Sequence, residues 1–191
     1  RLEDLAENPE RLDALPLPDD LAQTIDAALE DWDIATTPLA VRSSAVAEDS
    51  ENASFAGVLE SFLNVRRRED LHRAIRRCWA SAWSARANAY RERMGVAADA
   101  ASPAVVLMAL ALPRAETLAA GVAFSCDPRN SSEDRFFIAA NEGYGETVVG
   151  GHADPDEFVI EMGDHSPRPF VAERRLGRKE CRSIPAENGG T

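Results

Sequence analysis

Hydrophobic residues recur at helical spacing in two segments of the first half of the chain. Residues 18–32 carry an apolar residue at every third or fourth position behind an acidic start, which predicts an amphipathic helix. The same pattern over residues 69–94 predicts one longer helix that ends at Gly95. The apolar positions are Leu21, Ile25, Leu29 and Trp32 in the first segment, and Leu71, Ile75, Trp79, Trp83, Tyr90 and Met94 in the second. The tryptophans could stack on nucleobases, but this spacing favours core packing.

Shorter apolar runs predict strands. Residues 39–41 follow a Thr-Thr-Pro break and favour a short buried strand, and residues 59–65 alternate as a half-buried strand does. After Pro103 the apolar runs are 104–112, 118–124, 136–140 and 157–162, followed by an irregular segment with a short strand near residues 180–184. A helix-rich part over about 1–95 and a strand-rich part over about 103–191 predict an α+β fold.

Length and charge narrow the class of protein. The chain has 191 residues, is 45% hydrophobic and carries a net charge of −12, so we expect a globular core and no general affinity for nucleic acid. Residues 66–93 are basic, which favours a solvated helix face, with a nucleic-acid contact as the alternative. No apolar run is long enough to span a bilayer and the polar start is not a signal peptide, so we expect a cytoplasmic protein without membrane contact. The missing initiator methionine suggests a fragment.

The cysteines and histidines form no recognisable ligand set. Cys78, Cys126 and Cys181 are odd in number and widely separated, and the three histidines add no metal-binding spacing. We expect all six side chains to be structural or incidental.

Arg42 is the strongest candidate for binding chemistry. It follows a predicted strand and precedes Ser43 and Ser44, in a segment of small and hydroxylated residues that continues to Gly57. A guanidinium binds two phosphate oxygens at once, and small residues let backbone N–H groups approach a polyphosphate. The alternative is a capping loop in which Arg42 pairs with Glu48 or Asp49.

Seven motifs, in order along the chain, resemble the nucleotide-binding domain of phosphoenolpyruvate synthases, pyruvate phosphate dikinases and rifampicin phosphotransferases. They are AVRSSAVAED (40–49), ASFAG (53–57), LESFLNV (59–65), CWAS (78–81), GVAFSCDP (121–128), GYGETVV (143–149) and PDEF (155–158). The resemblance implies an ATP-grasp-like fold with two lobes around ATP, of which residues 1–191 are the central portion.

The resemblance also implies roles for single residues. Arg42 would contact phosphates, Ser43 would line the same loop, Gly57 would lie on the loop that covers them, and Ser61 would hydrogen-bond nearby. Met108 stands at or next to a glutamine that reads adenine in the family, and a thioether is only a weak acceptor. Two further positions keep alternatives: Glu146 lies near the nucleotide or caps the next segment, and Asp127 supports the cleft or forms an Asp-Pro turn.

The family parts that complete catalysis are expected outside this chain. The resemblance places the ATP-gripping lysine before it, and the magnesium-binding strands and the phosphohistidine and acceptor domains after it. The expected function is therefore the ATP-binding portion of a phosphoenolpyruvate synthase-like dikinase that uses ATP and magnesium and passes a phosphoryl group through a phosphohistidine to pyruvate. The alternatives are a rifampicin phosphotransferase-like kinase and a degenerate, non-catalytic domain. The parent is expected to be an enzyme, and this chain alone inactive.

Overall fold

The computed structural model describes residues 10–44, 49–50, 53–54, 59–95, 103–111, 119–129, 135–163 and 166–191. The chain divides into two compact units. The first unit contains Arg1–Ala111 together with Pro185–Thr191, and the second contains Leu112–Ile184. Both contain helix and antiparallel sheet, which confirms the α+β prediction.

The first unit is built on a three-stranded antiparallel sheet. Strand β1 (Leu39–Ser44) lies in the centre, between β4 (Ser61–Val65) and β5 (Ala104–Ala109). Two short strands, β2 (Asp49–Ser50) and β3 (Ala53–Ser54), pair with each other. The predicted strand over residues 39–41 is thus longer than expected, and it carries Arg42 within the sheet rather than in a loop after it.

Helix α3 (Arg68–Ser81) covers one face of this sheet. Its apolar stripe of Leu71, Ala74, Ile75 and Cys78 is buried in one core with Leu39, Val41 and Val65. Burial of each of the large aliphatic side chains is worth about 1.5–3 kcal/mol. Trp79 packs against the same core and Trp83 is buried, so the prediction of core packing for the tryptophans is confirmed. Two further helices, α1 (Glu10–Ala14) and α2 (Asp19–Ala28), precede the sheet.

The prediction of one helix over residues 69–94 is wrong, because a second helix, α4 (Ala85–Met94), starts after a break. The Ser84 hydroxyl accepts a hydrogen bond from the backbone N–H of Ala87 and caps the new helix. The carbonyls released at the break are bound by side chains of α4: Arg91 donates to Ala82, and Asn88 donates to Trp83 at 3.1 Å. The predicted end of the helix at Gly95 is confirmed, and this glycine has the left-handed conformation.

The second unit contains a four-stranded antiparallel sheet in sequential order. Its strands are β6 (Ala119–Phe124), β7 (Arg135–Glu142), β8 (Asp156–Gly163) and β9 (Ser166–Arg175), with the short helix α5 (Glu146–Val149) between β7 and β8. Phe137, Ala139 and Val159 form its buried core, and Val122 and Val148 pack against them.

Three predictions of secondary structure need correction. Strand β9 lies in a segment expected to be irregular, because its prolines and charges disfavour a central strand but are tolerated at a sheet edge. The strand expected over residues 180–184 is reduced to one bridge between Gly143 and Ser183. The first long helix ends at Ala28 rather than at Trp32.

Candidate functional site

Three of the predicted site residues, Arg42, Ser61 and Met108, lie on one exposed face of the first unit's sheet. Arg42 pairs directly with Ser61 on β4 and with Val106 on β5. Directly paired residues of antiparallel strands share a face, with Cβ atoms about 4.5–5.5 Å apart. The result is a row, Ser61–Arg42–Val106, that crosses all three strands. All three of its side chains are exposed.

Met108 extends this row along β5. It pairs with Ala40, two residues before Arg42, and therefore lies on the same face. The side chain is 43% exposed and that of Val106 is 44% exposed, so the two form a small apolar surface beside the arginine. The opposite face of the sheet carries Leu39 and Val41, which are fully buried under α3.

A β-bulge in β4 sets this arrangement. Leu39 pairs with Val65, whereas Val41 pairs with Phe62, so two steps along β1 match three steps along β4. Without the extra residue the register would place Phe62 opposite Arg42, and Ser61 would lie on the buried face. The bulge thus brings the Ser61 hydroxyl to the same row as the Arg42 guanidinium.

Asn64 forms the bulge. Its φ of 57° lies in the left-handed region, which asparagine tolerates better than most residues do. The side chain is fully buried and its amide donates hydrogen bonds of 2.8 Å to the carbonyls of Ala186 and Gly190. The amide oxygen accepts a bond of 2.8 Å from Arg66 Nε.

The remaining predicted site residues do not join this row. Ser43 pairs with Val105, which packs against the core, so its side chain lies on the opposite face from Arg42. Gly57, with Glu48 from the alternative capping loop, lies outside the described residues, and so does the side chain of Asp49. No ion pair among the described side chains involves Arg42.

Glu146 belongs to the second unit. It is the first residue of α5, and its carboxylate accepts a hydrogen bond of 3.0 Å from the Ser183 hydroxyl. The neighbouring backbone is tied to the same segment, since the N–H of Tyr144 donates to the Ser183 carbonyl at 2.8 Å. These contacts give the Gly-Tyr-Gly-Glu turn a clear structural role.

Asp127 has the turn role that its Asp-Pro sequence predicts. It is fully buried, and its Oδ1 accepts from the backbone N–H of Arg129 at 3.0 Å. The Arg129 side chain donates to both carboxylate oxygens, at 2.9 and 2.8 Å. These side-chain bonds are the main reason why the pKa of Asp127 lies below its ordinary value, although burial opposes the shift.

Several arginines of the basic stretch form ion pairs with acidic neighbours. Arg67 and Arg73 both pair with Asp70, at 2.7 and 3.2 Å. Arg68 pairs with Asp26 of α2 at 3.1 Å. These contacts favour the interpretation of a solvated helix face over that of a nucleic-acid surface.

The part of the chain that the structure describes contains neither a metal cluster nor a membrane-spanning helix. No group of three histidine, cysteine or acidic side chains there could hold a metal ion. None of the helices in the same ranges is long and apolar enough to cross a membrane.

One residue of the row and the bulge beside it are not predicted from the sequence. Val106 was not identified, although it precedes Met108 by two residues and so shares its face in any strand. The bulge at Asn64 is not identified from the sequence, because it is defined by the pairing of β4 with β1, which the pattern of one strand does not show.

Comparison with known proteins matches nearly the whole chain to one family. The family described as pyruvate phosphate dikinase, AMP/ATP-binding domain, matches residues 6–191. The chain is 38% identical over 162 residues to a rifampicin phosphotransferase from a Streptomyces species, covering 85% of this chain and 18% of that protein. It is 34% identical over 184 residues to the phosphoenolpyruvate synthase of Pyrococcus furiosus, covering 93% and 22%. The phosphoenolpyruvate synthase of Pseudomonas aeruginosa is 41% identical over 151 residues, covering 76% and 18%.

The chain spans about a fifth of the length of these curated relatives. The family match and the order of the motifs agree over both units. The chain therefore belongs to the pyruvate phosphate dikinase AMP/ATP-binding domain family.

Proposed function

We propose that this chain is the ATP-binding portion of a phosphoenolpyruvate synthase-like dikinase, and that the exposed row Ser61–Arg42–Val106 contacts the nucleotide. The observation that carries the proposal is the pairing of Arg42 with Ser61 on an exposed sheet face, with Met108 two residues further along. The family match and the phosphoenolpyruvate synthase relatives support the nucleotide as the ligand.

The chemistry of the row suits a polyphosphate. An arginine remains charged at any working pH and binds two phosphate oxygens in a fixed geometry. The paired Ser61 hydroxyl adds a donor about 5 Å away at the Cβ level, which matches contact with neighbouring oxygens of one chain of phosphates. Val106 and Met108 offer an apolar surface for the ribose or the base.

Met108 would serve the base by contact rather than by hydrogen bonding. A thioether packs well against a flat aromatic ring but is a weak acceptor and no donor. Adenine would then be bound with less discrimination than by an amide side chain. We expect Met108→Gln to increase the preference for ATP over GTP.

The other elements of the proposal lie outside this chain. Magnesium would enter with ATP and be held by residues beyond the described ones. In the full-length protein the β-phosphoryl group of ATP would pass to a histidine of another domain and then to pyruvate. AMP would leave in the first step, and water would take the γ-phosphoryl group and release it as phosphate. Because the proposed reaction consumes ATP, we expect the protein to work in the cytoplasm, where ATP is available.

Labelled ATP tests this proposal in the full-length protein. With ATP labelled at the β-phosphate, we expect AMP to form and the label to appear on the protein, from which added pyruvate removes it as phosphoenolpyruvate. A γ-phosphate label should appear only as free phosphate. Failure to bind ATP at all would contradict the proposal.

The same assay decides between the alternatives. The relative from Streptomyces, whose name is rifampicin phosphotransferase, supports an antibiotic acceptor. Discharge of the label by rifampicin and not by pyruvate would establish that alternative. ATP binding without any protein labelling would instead indicate a degenerate domain, which the substitution at Met108 supports.

A further inference from the structure

The last turns of α3 contact the strands of the row from the buried side. Cys78 is fully buried, and its Sγ lies 3.5 Å from the carbonyl oxygen of Glu60 and 3.8 Å from that of Val41. The Ser81 hydroxyl, also buried, accepts a hydrogen bond of 3.1 Å from the backbone N–H of Glu60. It donates one of 2.7 Å to the Cys78 carbonyl. Two side chains of one helix therefore bind the backbone of β1 and of the residue that leads into β4.

These contacts fall directly beside the exposed pair. Val41 immediately precedes Arg42 in β1, and Glu60 immediately precedes Ser61 at the start of β4. Since Arg42 and Ser61 are paired, fixing these two preceding residues fixes where both side chains leave the sheet. A displacement of Glu60 would be transmitted to Ser61 by one peptide unit.

The residue after Ser61 is also held by α3. The guanidinium of Arg77 lies over the Phe62 ring, 4.7 Å from its centroid. The same side chain pairs with the Glu60 carboxylate at 3.3 Å. This exposed ion pair is weak by itself, but together with Cys78 and Ser81 it places contacts on both sides of Ser61.

The chemistry of both buried groups suits a permanent contact. Burial, with a smaller contribution from the charge of Glu60, raises the pKa of Cys78 to about 12. The thiol therefore keeps its proton at neutral pH and remains a weak donor that the carbonyls of Glu60 and Val41 share. The Ser81 hydroxyl accepts one hydrogen bond and donates another, so both its oxygen and its proton have a partner.

The geometry points to Cys78 and Ser81 as positioning residues that hold Arg42 and Ser61 in place for the nucleotide. This inference rests on the proposed function of the row and assigns a role to the Cys-Trp-Ala-Ser motif. The two side chains would not touch ATP. They would act through the backbone of Val41 and Glu60, so their loss should weaken nucleotide binding without affecting the acceptor.

Ser81→Ala in the full-length protein tests the inference, with Ser84→Ala as its matched control. Both changes remove one hydroxyl that accepts a backbone N–H bond, three residues apart in the chain. The Ser84 hydroxyl caps α4, and among the described residues it has no hydrogen bond to β1 or β4. We expect Ser81→Ala to raise the KM for ATP at least threefold while the KM for the acceptor stays unchanged. Ser84→Ala should lower the Tm and leave both constants at their wild-type values.

Two further measurements separate positioning from general stability. The Glu60 amide loses its acceptor in Ser81→Ala, so its hydrogen exchange should become faster, whereas Ser84→Ala should not change it. Ser81→Thr keeps the hydroxyl and should restore the ATP KM. If Ser81 variants fold poorly, Cys78→Ala and Cys78→Ser give the same comparison, since only serine retains a donor at that position.

The outcomes distinguish this inference from the function on which it rests. If Ser81→Ala and Ser84→Ala have equal KM values for ATP while Arg42→Ala clearly weakens ATP binding, the positioning role alone would be overturned. Unchanged ATP binding in Arg42→Ala would overturn the proposed nucleotide site. Weaker ATP binding in Arg42→Ala, with a KM for ATP that is raised in Ser81→Ala and restored in Ser81→Thr, would support both the nucleotide site and the positioning role.

Discussion

Replacement of Asn64 by alanine should destabilise the first unit more than almost any other polar substitution. The side chain is fully buried in the bulge and makes three hydrogen bonds of 2.8 Å, two as donor to Ala186 and Gly190 and one as acceptor from Arg66. At about 1 kcal/mol each, these bonds contribute about 3 kcal/mol. Alanine must also adopt a φ of 57°, which costs it about 1 kcal/mol.

The expected loss for Asn64→Ala is therefore about 4 kcal/mol in the free energy of unfolding. Equilibrium unfolding in urea, followed by tryptophan fluorescence, measures it, because Trp79 and Trp83 pack in the same unit. Asn188→Ala is the matched control: this asparagine is exposed in the segment that Asn64 binds, and its loss should cost less than about 0.5 kcal/mol. A loss below about 1 kcal/mol for Asn64→Ala would refute the reasoning about the bulge.

Three further predictions concern acid stability, thiol reactivity and a close backbone approach. The pKa of Asp127 is lowered from 3.8, chiefly by Arg129, so the carboxylate stabilises the fold above that pH and the contribution is lost as the pH falls through the lowered value. Thermal unfolding between pH 7 and pH 3 should show a smaller acid-induced fall in Tm for Asp127→Asn, and an identical fall would contradict the role. A thiol reagent at pH 8 should label the exposed Cys181 rapidly and the buried Cys78 only on unfolding; rapid labelling of Cys78, identified by mass spectrometry, would refute its burial. Gly143→Ala should cost more than about 2 kcal/mol in urea unfolding, since its Cβ would clash with the backbone carbonyl oxygen of Ser183. Gly151→Ala meets no atom within 4 Å and should cost about 1 kcal/mol, and equal losses for the two variants would count against this account.

The spacing of apolar residues in the sequence was sufficient to predict the core of the first unit. The four-residue spacing from Leu71 onward predicts the face of α3 that is buried against β1, because a helix must cover its apolar stripe. Arg42 was expected in a loop after the strand of residues 39–41, and the longer strand β1 includes it in the sheet. The motif order then led to the family that the comparison identified.

The sequence could not show how the row is assembled. Which residues face Arg42 depends on pairing between strands far apart in the chain, and the bulge at Asn64 changes that pairing by one residue. The break after Ser81 was missed because the apolar spacing continues through it, and only the Ser84 cap and the Arg91 contact make two helices preferable. Strand β9 was missed because an edge strand tolerates prolines that a central strand excludes.

The central claim, that Arg42 binds the phosphates of ATP, is tested most directly by calorimetric titration of the full-length protein with Mg-ATP. Arg93→Ala is the matched control, since Arg93 is an exposed arginine of α4 away from the sheet. We predict that Arg42→Ala raises the Kd for ATP at least tenfold, about 1.4 kcal/mol, and that Arg93→Ala leaves it unchanged. The Kd for ATP of Arg42→Lys should lie between the values of Arg42→Ala and Arg93→Ala, because an ammonium keeps the charge but cannot bind two phosphate oxygens in the fixed geometry of a guanidinium. Equal Kd values for Arg42→Ala and the wild type would contradict the account.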